Sequence, residues 1–226
     1  MIGAALAVVR KDLRLAFANG QGPVQAVLFG LLLVFLFSLS AAPGERFSAQ
    51  QGLAIFWLCS SFAVVLIFSL LFRFEEENGA ATALLLSPLP VQGLWLGKTL
   101  AGGVLLVLCQ AFFFPAALVF LDLGVAGEAL PLCAMLAGVD AGLCVLGGLV
   151  GAMGYGQSAK DALLTIIVFP LQIPLLLGGI RIGEGLMRGG LWSDVSGWFG
   201  LVFAFDAVFA GAALFLFPYV FRGEQG

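Results

Sequence analysis

The stretch Arg73-Phe-Glu-Glu-Glu-Asn-Gly-Ala-Ala-Thr-Ala-Leu-Leu-Leu-Ser-Pro-Leu-Pro90 sets an acidic cluster and a short apolar segment inside a chain that is otherwise almost all hydrocarbon. Apolar runs flank it at residues 52–72 and 94–121, each long enough for the ~20 residues that cross a bilayer. Further runs lie near 23–42, 129–153, 162–180 and 197–221. Lipid offers nothing to satisfy open strand edges, and none of the runs alternates apolar with polar, so all six read as helices. The predicted fold class is an all-α membrane protein. A single transmembrane domain spans 1–226, with an N-terminal interfacial amphipathic helix over 1–20, a six-helix bundle, and a short cytoplasmic helix in the 74–90 loop.

Composition agrees. Hydrophobic residues make up 62% and charged residues 10% of the 226, and mean hydropathy is +1.11, far from a water-soluble globule. Net charge is −3, with no basic patch to neutralise a phosphate backbone, which excludes nucleic acid as a partner. The absence of histidine removes the commonest general base, metal ligand and axial haem ligand. No catalytic residue, metal site or cofactor bound by this chain is therefore expected. Cys59, Cys109, Cys133 and Cys144 fall in apolar runs without a Cys-x-x-Cys pair and read as small packing residues. The segment ending Gly97-Lys98-Thr99 imitates a phosphate-binding loop, but that motif needs glycine where Gln92 stands. Lys98 reads instead as an anchor reaching headgroup phosphates at the inner interface.

With the N-terminus in the cytoplasm, Arg10, Lys11, Arg14, Arg73, Lys98, Lys160 and Arg222 lie inside and only Arg46, Arg181 and Arg188 outside, as the positive-inside rule requires. Both termini are then cytoplasmic. Trp95, Tyr155 and Tyr219 fall near the inner interface and Trp192 and Trp198 near the outer one. In the first eighteen residues, Ile2, Leu6, Val9, Leu13 and Phe17 recur on one helical face while Lys11, Asp12 and Arg14 turn away, so the segment is expected to lie along the inner interface. Its charges follow the apolar residues, which argues against a signal peptide.

Asn78 suits the N-cap of a short helix through Leu86, and the preceding acids suit its positive end. Ser87-Pro-Leu-Pro90 stops it, and Pro90 opens the next helix. Leu84, Leu85 and Leu86 on a water-facing turn need cover from headgroups or from a protein groove, and a groove on a soluble partner is the reading favoured.

These residues, with Leu163-Leu-Thr-Ile-Ile-Val-Phe-Pro-Leu-Gln-Ile-Pro-Leu-Leu-Leu-Gly-Gly179, resemble the CcmB family, the membrane subunit of the cytochrome c maturation haem exporter in the ABC-transporter superfamily. The resemblance rests on Arg73, Glu75 to Glu77, Gly79, Leu84 to Leu86, Pro88, Leu89, Pro90, Lys98, and the fifth-run positions Pro170, Leu171, Ile173, Pro174, Leu175 and Leu176. It implies that 75–90 forms a coupling helix on an ATP-hydrolysing subunit, with Glu75, Glu76, Glu77, Gly79, Leu84, Leu85, Leu86, Pro88 and Pro90 as the contact residues. It further implies a bacterial inner membrane location, ATP on a CcmA-like partner, CcmC-like and CcmD-like membrane subunits, a CcmE-like haem chaperone, and a second copy of this chain. Haem is then the cargo, passed through the bundle or released on its chaperone by ATP-driven motion. A permease for lipid, polysaccharide or drug shares the coupling helix and is the alternative.

Asp140 and Asp206 are the charged residues deep in the runs, with no intramembrane cation to pair with. Bundle-interior hydrogen bonding and a hydrated cavity both account for them. Neither follows glycine, unlike the dyad of an intramembrane aspartyl protease. Gly138, Gly142, Gly147 and Gly151 predict close helix contact. Pro170 and Pro174 predict a kink or break, as a hinge or a tolerated distortion, with Gln172 placed to satisfy a freed carbonyl. Residues 181–197 read as the longest outward connector.

Overall fold

A computed structural model describes residues 2–41, 47–76, 91–121, 123, 129–153 and 160–223. They form α1 (Ile2–Asn19), α2 (Gln21–Ser40), α3 (Ala49–Glu76), α4 (Val91–Phe120), α5 (Ala129–Met153), α6 (Lys160–Met187) and α7 (Trp192–Gly223). Helices α2 to α7 are each long and apolar enough to cross a bilayer. The all-α, six-span architecture is thus as predicted.

Among the described residues, two glycines sit where the backbone turns left-handed. Gly20, at φ 61°, separates α1 from α2, and Gly189, at φ 75°, lies between α6 and α7; a side chain is disfavoured at both. The second turn corrects the expected 181–197 connector. Residues 181–187 continue α6, α7 begins at Trp192, and only 188–191 link them. Arg181 and Arg188 pair with Glu184 along α6 at 3.4 and 3.0 Å. Of the kink or break expected at Pro170 and Pro174, a break is absent, since α6 stays helical through both.

Helix α3 is the centre of the bundle, packed against α2, α4, α5 and α6, while α7 covers α5 and α6 and α1 lies along α4. Lipid is as apolar as a leucine side chain, so these helices associate by close fit. The fit is made by aromatic rings of one helix seated on glycines of the next. On α3, Phe68 presses on Gly147 of α5 and Gly102 of α4, Phe72 on Gly151 of α5, and Trp57 on Gly179 of α6. Phe113 of α4 presses on Gly30 of α2. All four rings are fully buried, and the expected contact role of the α5 glycines is met.

Candidate functional site: an ion cluster at the root of the 77–90 loop

Helix α3 ends at Glu76 and α4 begins at Val91, so the two are the stems that flank the acidic, leucine-bearing segment 77–90. Glu77, Gly79, Leu84, Leu85, Leu86, Pro88 and Pro90 lie outside the described residues. Glu75 and Lys98 on the stems and Lys11 and Asp12 on α1 bring four charges into contact. Lys98, in the third turn of α4, reaches Glu75 of α3 at 2.8 Å and Asp12 of α1 at 3.2 Å, and donates to the Leu71 carbonyl at 2.7 Å. Its three N–H groups thus meet three acceptors, and the Phe72 ring lies 5.2 Å from the ammonium. Lys11 closes the ring, pairing with Asp12 at 3.1 Å and donating to the same Glu75 oxygen that Lys98 holds.

Two cations and two carboxylates sum to zero, which is what permits Asp12, Glu75 and Lys98 to be fully buried. Lys11 alone is partly exposed. Burial works against its charge, but Asp12 and then Glu75 outweigh it and hold its pKa above 10.5. Glu75 Oε2 and Asp12 Oδ1 accept no hydrogen bond among the described residues, Oδ1 being held by Lys11 as an ion pair. Lysine near the C-terminal end of α3 also complements that helix's dipole.

Three expectations change. Lys98 is enclosed instead of reaching headgroups. Glu75 is engaged by its own chain's lysines and presents no surface to a partner, so it belongs to the loop's root, not to its contact face. Asp12 does not turn away from the bundle. The buried stripe of α1 is Ala5, Val8, Asp12 and Ala16, whereas Ile2, Leu6 and Phe17 are exposed. Small size explains the reversal, because α1 approaches α4 so closely that a Cβ on Gly97 would lie 2.6 Å from Val8 Cβ and 2.9 Å from the Ala5 carbonyl oxygen.

Deeper in the bundle, Gln110 of α4 donates to Asp140 of α5 at 2.7 Å and to Ser60 of α3 at 3.2 Å, and Ser60 donates to the Phe56 carbonyl at 3.0 Å. Asp140 therefore has the interior hydrogen bond the sequence allowed, and it also lines an apolar cleft between α4 and α5. Asp206 of α7 is not brought to it. Its Oδ1 abuts Gly142 and has no partner among the described residues, and positions 140 and 142 point to opposite sides of a helix. Gln172 is fully buried and neither amide atom is bonded among the described residues, so it satisfies no carbonyl freed by Pro170 or Pro174.

Lys11, Asp12 and Lys98, to which the sequence assigned other roles, and Gln110 and Ser60, which it passed over, are the polar residues whose contacts it did not show. The detectable signal was the alanine-bordered spacing of Asp12, which marks a face made for close approach. Comparison with known proteins covers the same extent. The chain is 28% identical to heme exporter protein B of Pseudomonas aeruginosa over 81% of its own length and 80% of the relative's. Identity to the Paracoccus denitrificans protein of that name is 29% over 83% and 84% of the two chains. For that of Bradyrhizobium diazoefficiens it is 27% over 81% and 82%. The model of the CcmB protein family matches residues 3–223, both stems and all seven helices included, and the chain belongs to that family.

Proposed function

We propose that this chain is the permease subunit of an ABC haem exporter serving cytochrome c maturation. Its relatives carry the name heme exporter protein B. In this reading a CcmA-like ATPase seats on the 77–90 loop through Glu76, Glu77, Gly79, Leu84 to Leu86, Pro88 and Pro90. The assembly includes CcmC-like and CcmD-like membrane subunits and a second copy of this chain in a bacterial inner membrane, with both termini cytoplasmic. The chain supplies no histidine, so iron ligation falls to a neighbouring subunit, and ATP-driven motion releases the haem-loaded, CcmE-like chaperone.

The observation that carries the coupling role is the neutral buried cluster. It welds α1, the end of α3 and the start of α4 into one unit at the root of the loop. A push on a flexible hairpin dissipates in the hairpin, whereas a push on welded stems displaces three helices as a body. The test is co-purification of the ATPase with the protein carrying Leu84→Ser, Leu85→Ser and Leu86→Ser, with c-type cytochromes measured in the same cells. Loss of both is the expected result. A fully retained ATPase overturns the docking site. Intact cytochromes with a missing surface polymer on deletion of the chain point to the lipid or polysaccharide exporter instead.

A further inference from the structure

Opposite its buried stripe, α1 carries a second one. Arg10, Arg14 and Phe17 follow at four- and three-residue spacing, so they share one side of the helix, and all three are exposed. Among the described residues no carboxylate pairs with either arginine. Phe17 also stands at one end of a groove of about 260 Å³ between α2 and α4, lined by Val24, Val27, Leu105, Leu108 and Phe112 and by no charged residue. Two unmatched guanidinium groups thus sit within about two turns of an oily slot that runs along two membrane spans.

We propose that this is a site for one anionic phospholipid, its phosphate on Arg14 and Arg10 and one acyl chain in the α2–α4 slot. Guanidinium groups bind phosphate oxygens in a fork that ammonium cannot match. The slot removes methylene groups from contact with mobile lipid and selects a ligand that has a chain. Two unmatched positive charges select a net negative headgroup over a zwitterionic one. Free phosphate satisfies only the arginines, and a neutral lipid only the slot. The site does not depend on what the permease transports. Bound lipid here would brace α1, and with it Asp12, against α4.

The test is mass spectrometry of the full-length protein after detergent exchange, with phosphatidylglycerol, phosphatidylcholine or inorganic phosphate added back. About one phosphatidylglycerol per chain is expected to survive, displaced by neither of the other two. Arg10→Gln with Arg14→Gln is expected to reduce the preference for phosphatidylglycerol over phosphatidylcholine by about tenfold or more, as two basic groups at a membrane surface imply. Val24→Phe with Val27→Phe, which fills the slot with apolar bulk, is expected to abolish retention of both lipids. A wild-type chain that retains no lipid, an arginine variant that keeps its preference, or a filled slot that still holds lipid each overturns the proposal. Circular dichroism on every variant confirms the helical fold, and the surface arginine pair remains decisive even if the filled-slot variant does not fold.

Discussion

Lys98 is the residue on which most depends, because it is fully buried and satisfies two carboxylates and a backbone carbonyl. Lys98→Met leaves a buried net negative charge, and a loss of roughly 3–5 kcal/mol is expected, read as thermal unfolding in detergent. Adding Asp12→Asn restores neutrality, so the double variant is expected to be more stable than Lys98→Met alone, and additive losses would show that the pair does not interact. Lys11 sets the pH response. Its raised pKa means that its contribution is complete below its ordinary value of 10.5 and is lost as pH climbs through the higher folded one. Stability from this contact is therefore expected to be flat from about pH 6 to 9 and to fall only in strong alkali, and Lys11→Met is expected to remove that alkaline fall. Gln172 makes the opposite case. Both of its amide atoms are buried and unbonded among the described residues, so Gln172→Leu is expected to be neutral or to stabilise by about 1 kcal/mol. A large destabilisation would reveal a partner that the isolated chain lacks.

At the scale of elements, the spans were legible because length and hydropathy are local properties. Each of the six runs became a helix, and the α5 glycines lie against rings of α3 or side chains of α6 and α7, as their four-residue spacing implied. Pairings between distant positions were not legible. Lys98 meets Asp12 and Lys11 meets Glu75 across 86 and 64 positions of the chain, and a single sequence carries no record of such distances. Asp12 misled because five apolar residues on α1 imitate a buried stripe, yet the face that docks is the one small enough to approach α4. Residues 181–188 misled because two glycines and two arginines suggest a loop, although Glu184 pairs with both Arg181 and Arg188. Close contact has a measurable counterpart. Gly147→Leu would drive a branched side chain into the buried Phe68 ring, and a loss of about 1–3 kcal/mol or more is expected in the same unfolding assay.

For the whole molecule, the proposed orientation places Arg73 and the 77–90 loop on one side of the membrane and the short link between α6 and α7 on the other. Cysteines introduced at Arg73 and Ser193, both exposed, test this in a background without native thiols. An impermeant maleimide is expected to label Ser193→Cys in intact cells and Arg73→Cys only after permeabilisation, and the reverse pattern would invert the topology. The ion cluster has a consequence at this scale too. Its members all lie in α1, α3 and α4, so the stems are fastened whatever sequence bridges them. Under the proposed coupling the bridge is an interchangeable adaptor: the 77–90 segment of another exporter, spliced between Glu76 and Val91, is expected to leave the bundle folded and change only which motor it answers to.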